Sequence, residues 1–307
     1  MIRKSFLLAA GLLTASLGFS QTPHADPTPH PDPVPHASET PHTLLWRVSG
    51  KGLTRPSWLF GTMHVLCEND AALTDTLKAV IAACDEVWFE INLSDMSGML
   101  SSMKYMKMND SKKLSDLLKP DEYARVKDYF GKHAAMLPFG MLERFKPMLI
   151  SGLIEEQGLG CQTTDGMELM IMQELHAYKK PVNGLETVAF QAGLFDSIPY
   201  EEQAKELVND IDSADQNRKT TQQLADVYRR QDLDAIEELS NKDDAGMKGY
   251  MDLLLYGRNR KWAEILDGLL PGKSLLVAVG AAHLPGKQGV IELLRKKGYT
   301  VEPVNNK

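Results

Sequence analysis

Apolar and polar positions divide the chain after residue 42 into a strand-rich start, a helical middle and a strand-rich end. Leu44-Leu45-Trp46-Arg47-Val48 and Trp58-Leu59-Phe60 are two short apolar runs. Gly50, Gly52 and Pro56 lie between them, a pattern that predicts a hairpin. From Leu73 to Ala83 the apolar positions Leu73, Leu77, Val80 and Ile81 follow helical spacing. Glu86 to Asn92 then alternates as a strand: Glu86, Trp88, Glu90 and Asn92 share one face, and Val87, Phe89 and Ile91 the other.

Helical patterns dominate from about 95 to 270. Met96, Met99, Met103 and Met106 fall at helical spacing and predict a pliable apolar face, with soft-metal binding as the sharper reading. Helices are expected within Leu114–Lys132, Pro138–Gln157 and Asp165–Tyr178. Lys180 to Glu186 is a short extended element that ends in a carboxylate. The stretch from Glu201 to about Ser240 is polar with sparse apolar positions, which predicts an outer helical hairpin or cap. Met251 to Leu270 is helical with a break expected at Gly257. Leu275 to Val279 predicts a buried strand, Gly289 to Lys297 a helix and Tyr299 to Val304 a last strand. These three form a strand–helix–strand unit of the parallel type.

Within this pattern two phrases repeat. Gly61-Thr62-Met63-His64 ends one apolar run and Gly280-Ala281-Ala282-His283 ends another. Gly allows a tight turn or a close backbone approach. A His three residues later can point into the crevice beyond the carboxyl ends of strands, where open α/β sheets place ligands. Glu90 lies in an otherwise apolar strand, where an unpaired carboxylate is costly to bury. His64, His283 and Glu90 thus make a candidate two-His, one-carboxylate metal set. On spacing alone, two hydrogen-bonded strand-end histidines and a water-exposed Glu on an edge strand explain the same residues. Arg258-Asn259-Arg260 is either a solvated polar patch or a guanidinium placed to hold an oxyanion or a substrate carboxylate. Gly-x-Ser-x-Gly, His-Glu-x-x-His and phosphate-cradling glycine loops are missing from the sequence.

The N-terminus changes the domain picture. Arg3 and Lys4 precede an apolar segment through Phe19, and Ser20 is a plausible last residue before cleavage. Residues 1–20 are therefore expected to be a signal peptide, and the mature protein to be exported with no membrane span. Residues 21–42 are rich in Pro and His, with His24, His30, His36 and His42 at a strict period of six. Polyproline II spacing sets these imidazoles about 19 Å apart, so a semi-rigid spacer is the plain reading and weak metal or proton capture the sharper one. Residues 43–307 are read as one domain. The net charge of −7 and the lack of a basic stripe argue against nucleic-acid binding. Cys67, Cys84 and Cys161 allow one bridge plus a free thiol, or none. Cys67 and Cys84 flank a helix that would hold them roughly 20 Å apart, against the limit of about 7 Å for a disulfide. A bridge between them requires the chain to fold back.

The sequence resembles the TraB/GumN family, the bacterial relatives of the Tiki metalloproteases. The phrases that carry the resemblance are Trp58 to Val65, Val87 to Asn92, Gly184-Leu185-Glu186-Thr187 with Gln191, Arg258-Asn259 with Trp262, and Val279 to Gly286. It implies an α/β fold with a central mixed β-sheet surrounded by helices and a helix-rich middle, shared more distantly with erythromycin esterases and a haem-binding lipoprotein. It also implies one site containing His64, His283 and Glu90. Metal-dependent peptide cleavage follows as the expected activity, with Mn, Co or Zn as the cofactor and a peptide or small molecule as the substrate. His64 and His283 would hold the ion, and Glu90 would be a ligand or general base. Arg258 would stabilise an oxyanion or grip a carboxylate, with Asn259 and Glu186 behind these groups or facing the substrate. The alternatives are a peptide- or metal-binding protein without catalysis and a metal-free esterase-like hydrolase.

Overall fold

Leu44 to Val48 and Trp58 to Phe60 do pair back on each other. A turn with positive φ at Gly50, Lys51 and Gly52 joins β1 (Leu45–Gly50) to β2 (Ser57–Thr62). The pairing is antiparallel, with Leu45 opposite Phe60 and Val48 opposite Ser57. The computed structural model describes residues 42–95, 98, 103–133, 137–161, 163–241 and 248–307. The segment read as a signal peptide, nearly all of the Pro-His segment, and Met96 and Met99 lie outside the described residues.

A mixed six-stranded sheet forms the centre. It adds β4 (Glu86–Ile91), β6 (Val182–Glu186), β7 (Leu275–Gly280) and β8 (Tyr299–Pro303), in the order β6-β4-β7-β2-β1-β8. Strands β3 (Leu66–Cys67) and β5 (Thr164–Asp165) make a separate two-stranded ribbon. β6, β4, β7 and β2 are mutually parallel neighbours, so their carboxyl ends share one edge. The predicted C-terminal unit has the expected strand direction, but β8 pairs antiparallel with β1 at the far edge and not with β7. β4 is an interior strand, which rules out an edge position for Glu90.

Twelve α-helices are described, and two apolar cores organise them. The first surrounds the sheet and contains Leu45, Phe60, Val87, Phe89, Val277 and Trp262. α1 (Asp75–Ala83), capped by the Thr74 hydroxyl accepting from Leu77 N, buries Leu77, Val80 and Ile81 against it. The second core lies among α2 (Leu114–Leu117), α3 (Pro120–Lys132), α4 (Phe139–Leu142), α5 (Pro147–Gly158) and their neighbours, around Val126, Phe145, Ile150 and Leu207. Met106 joins this core from a 3₁₀ turn, Met103–Met106.

The polar stretch after residue 200 is not a peripheral cap. α6 (Met167–Leu175) and α7 (Val188–Leu194) precede it; α8 (Tyr200–Asp212) and α9 (Ala214–Arg229) meet at Ser213 without a loop. α10 (Leu233–Asn241) follows. α8 and α9 bury polar side chains against α5, including Gln203, Asp210, Asn217 and Thr221. Hydrogen bonds inside the interface supplement the apolar stripe of Ala204, Leu207 and Val208. Gln203 donates to the carbonyls of Phe195 and Ile198, and Asn217 donates to Asp210.

The expected break near Gly257 is a π-helical turn, Asp252–Tyr256, that runs directly into α11 (Gly257–Leu269). The widened turn leaves the Leu254 carbonyl open to the Arg258 side chain, which donates to it at 3.0 Å. α12 (Val290–Lys296) completes the described helices.

The cysteines form one bridge and leave one free thiol, and the bridge is not the Cys67–Cys84 pair that the spacing disfavours. Cys67 is bonded to Cys161, with Cα atoms 5.8 Å apart, and Cys84 is a buried free thiol. The helix between Cys67 and Cys84 keeps those two apart, while the β3–β5 ribbon brings Cys161 back to Cys67.

Glu155, buried on α5, has no hydrogen-bond partner for Oε2 among the described residues. Burial, reinforced by the Asp210 carboxylate, raises its pKa well above the ordinary carboxylate range. The folded state therefore keeps a proton that the unfolded chain releases. Stability should fall as pH climbs from the ordinary Glu range near 4.3. Glu155→Gln should flatten that slope and raise the urea midpoint at about pH 8. A lower midpoint for the variant at that pH would show that the carboxylate is ionised and partnered.

Candidate functional site

The four parallel strands deliver their functional side chains to one edge in spatial order. Glu186 ends β6, Glu90 lies near the end of β4, His283 follows β7, and His64 follows β2. β2 and β7 run in register, with Gly61 opposite Val279 and Thr62 opposite Gly280, so the two Gly-x-x-His phrases lie side by side. A Cβ at position 61 would stand 3.1 Å from Ala281 Cα and Cβ. Gly is needed there because the second phrase packs directly on it.

Glu90 is the centre. Its Oε1 accepts from Gly280 N at 2.9 Å and lies 3.7 Å from His283 Nε2 and 4.0 Å from His64 Nε2. Its Oε2 accepts from Arg258 Nη2 at 2.5 Å and from Gln191 Nε2 at 3.1 Å. Arg258 also binds Glu186, through Nε and Nη2. α11 supplies Arg258, Asn259 and Trp262 from one face. The Trp262 ring lies 4.4 Å from the His283 ring and carries the Arg258 guanidinium at 4.8 Å. Lys146, buried at the start of α5, donates to Ala192 O and pairs with Asp196, which fixes the helix that holds Gln191.

Each imidazole is oriented through Nδ1. His283 Nδ1 is 2.5 Å from Asn259 Oδ1, and Asn259 Nδ2 donates to Gln288 O. The amide is thereby fixed with its oxygen toward the ring, so Nδ1 carries the proton and Nε2 is the acceptor, 3.3 Å from Arg258 Nη1. His64 Nδ1 is 2.6 Å from Glu168 Oε1, on the first turn of α6. Gly166 lets that segment pass close to His64, since a Cβ there would meet the His64 carbonyl oxygen at 2.4 Å.

The two histidines are driven in opposite directions. Burial lowers the pKa of His64, but the charge and hydrogen bond of Glu168, with Glu90, outweigh it and raise the value to about 9. Burial lowers His283 to about 3; Glu90 opposes this and Arg258 reinforces it. Burial disfavours the Glu90 and Glu168 carboxylates, yet Arg258 holds Glu90, and His64 holds Glu168, below the usual range. Arg258 loses solvation, but Glu90 and Glu186 raise its pKa overall.

The residues named from sequence are therefore brought together: His64, Glu90, Glu186, Arg258, Asn259 and His283. Arg258 is not a free guanidinium, because two buried carboxylates already hold it. Glu168 and Tyr228 were missed. The only local signal for Glu168 is a Gly two residues before it at a helix start. Tyr228 donates to the Gly61 carbonyl at 2.9 Å from a helix that reads as polar.

A divalent ion suits this chemistry. Glu90 and Glu186 hold Arg258 and Glu168 holds His64, so three carboxylates face one guanidinium and one imidazolium, and the cluster is net negative; loss of the His64 proton to a bound ion would leave two negative charges uncompensated. Nδ1 of each ring is occupied, so Nε2 is the donor available to a metal. The set is not preassembled: no group of three His, Cys, Asp or Glu among the described residues is spaced to hold an ion. Ligand atoms around a tetrahedral ion stand about 3.4 Å apart, slightly closer than these, and Arg258 Nη1 would have to release His283 Nε2.

Arg258→Met would leave Glu90 and Glu186 buried without their cation. We expect a loss of about 3–5 kcal/mol in urea unfolding. A loss below about 1 kcal/mol, the range of exposed pairs, would mean that the three charges are solvated.

Comparison with known proteins identifies a family. The sequence profile of the TraB/PrgY/gumN family matches residues 44–303. Metalloprotease TIKI2 of Danio rerio is 24% identical, over 85% of this chain and 60% of its own length. Metalloprotease TIKI1 of Homo sapiens is 22% identical, over 80% of this chain and 59% of its own length. A metalloprotease TIKI homolog of Amphimedon queenslandica is 25% identical, over 84% of this chain and 60% of its own length. The chain thus spans about 60% of the length of these curated relatives. No solved structure matches. With the profile covering the whole sheet and both Gly-x-x-His phrases, the chain belongs to the TraB/PrgY/gumN family.

Proposed function

We propose that the chain is an exported metal-dependent hydrolase that cleaves peptides. The observation that carries this is the convergence of His64, Glu90 and His283 at the carboxyl ends of adjacent parallel strands, within a net-negative cluster. The metalloprotease names of the relatives support the same reaction class. The Cys67–Cys161 bridge supports an oxidising compartment, in keeping with the expected signal peptide.

His64 Nε2, His283 Nε2 and Glu90 would hold the ion, with Mn, Co or Zn as candidates. When bound, a divalent ion supplies Lewis-acid polarisation of a carbonyl and lowers the pKa of water. Glu90 Oε1, the oxygen facing both rings, would serve either as the third ligand or as the general base, while Arg258 keeps Oε2 occupied. Arg258 Nη1 faces His283 and can donate instead to a developing oxyanion. Glu186 holds that guanidinium in place, and Glu168 and Asn259 fix the two rings. The apposed pushes on His64 and His283 separate a charged from a neutral imidazole within one cluster.

The His64–Glu168 pair favours one alternative, a metal-free hydrolase in which this carboxylate-held histidine is the general base once the proton that Glu168 and Glu90 stabilise has left. Metal analysis and a peptide-library cleavage assay with Mn, Co or Zn, with and without chelator, distinguish the two. The full chain should be run beside a chain starting at residue 43, so that any metal captured by the linker histidines is counted apart from metal at the site. Stoichiometric metal in both and chelator-sensitive cleavage are expected. His64→Ala and His283→Ala should abolish cleavage with nearly unchanged melting, and Glu168→Ala should cost about 10–100-fold. Chelator-resistant cleavage would select the metal-free mechanism, and metal uptake without any cleavage would overturn the hydrolase.

A further inference from the structure

His64 and Glu168 meet across 104 residues of chain, and the strand pairing that joins their segments is short, though Leu66 on one side and Met167 and Ile171 on the other also enter the main core. His64 stands three residues before Cys67, and Glu168 seven residues after Cys161. Between these points the β3–β5 ribbon has only two residue pairs, Leu66–Asp165 and Cys67–Thr164. Glu68 N donates to Thr163 O at 3.2 Å, the Thr163 hydroxyl donates to Glu68 Oε2, and Met167 N donates to Met63 O at 3.1 Å. A ribbon this short does not hold itself together in water. The covalent tie between its strands is the Cys67–Cys161 bond. The other half of the site has no such tie. His283 is held by Asn259 and packed on Trp262, and both come from a long helix in the main core.

We propose that the Cys67–Cys161 disulfide is the positioning element that keeps Glu168 on His64, so that the redox state of the surroundings sets whether the site is assembled. The idea deepens the hydrolase reading, since it assigns that reading's site a control, but the geometric claim stands apart from activity. Both cysteines are half-buried and within reach of a thiol reagent. Cys84 is buried, with its thiol on the Ile81 carbonyl, and is withdrawn from exchange. Reduction by a dithiol proceeds by attack of one thiolate on a bridge sulfur, which gives a mixed disulfide and expels the other cysteine as a thiol. The second thiol of the reagent then closes its own disulfide and releases the second cysteine. Two electrons and two protons pass to the protein. An oxidised dithiol or glutathione disulfide reverses the change. A chain in a reducing compartment would thus carry His64 without its carboxylate held in place, and oxidation after export would complete the site.

The test follows the His64 Nδ1–H proton by NMR in the full chain, in glutathione disulfide and then in dithiothreitol. Thiol titration confirms that two sulfhydryls appear. Reduction should broaden or remove the His64 signal and speed amide exchange at Leu66, Cys67, Thr164 and Asp165 by about tenfold or more. The His283 Nδ1–H signal and the circular dichroism should stay unchanged, and reoxidation should restore the starting spectrum. Cleavage should fall by about 10–100-fold, mainly in kcat. Cys84→Ala should keep the whole redox response, and Cys67→Ser with Cys161→Ser should copy the reduced state. If that double variant fails to fold, reduction of the native chain is the deciding measurement. An unchanged His64 signal after confirmed reduction would overturn the proposal, as would global unfolding on reduction. A redox-dependent His64 signal without cleavage in either state would uphold the proposal and sink the hydrolase reading instead.

Discussion

A carboxylate at the centre of the sheet has to be neutralised, and much of the surrounding architecture answers that need. Glu90 lies on an interior strand and is almost inaccessible to water. Buried ions persist only when paired and hydrogen-bonded on every side. Arg258 supplies the charge, Gln191 and Gly280 N supply further donors, and Glu186 takes the part of the guanidinium that Glu90 leaves over. These partners come from α11, α7, β7 and β6, so one ionic cluster fixes how the late helices sit on the sheet. The π turn before α11 belongs to the same solution, because its open Leu254 carbonyl accepts from Arg258.

The two histidines are equivalent in sequence and unlike in structure. Each follows a Gly at the end of a parallel strand, and each uses Nδ1 to meet an oxygen. For His64 that oxygen is a carboxylate, which favours the imidazolium; for His283 it is an amide, next to a guanidinium, which favours the neutral ring. A repeated motif therefore biases its two imidazoles in opposite directions, the first toward the charged ring and the second toward the neutral one.

The sequence makes the strands and the Gly-x-x-His phrases legible because both rest on local patterns. Apolar runs end at Gly61 and Gly280, and Glu90 is conspicuous within an apolar strand. What stays hidden depends on long-range return of the chain. Glu168 follows a two-residue strand with no periodicity to announce it, and Cys161 pairs with Cys67 only because that strand comes back. Tyr228 and the buried faces of α8 and α9 are hidden for another reason. Their contacts add side-chain hydrogen bonds to a sparse apolar stripe, so helices that read as solvent-facing bury one face against α5.

The register of β2 with β7 also constrains how the molecule comes to exist. Neighbouring residues in that pair are separated by 218 positions along the chain, as in the bond from Leu275 N to Ser57 Oγ. Contacts of such separation form late, after the entropy of closing a long loop has been met. The first Gly-x-x-His phrase must wait, without the strand that packs on Gly61, until nearly all of the polypeptide has been made. Partial chains therefore hold His64 and Glu90 but no site, because the cluster needs β7 between β4 and β2.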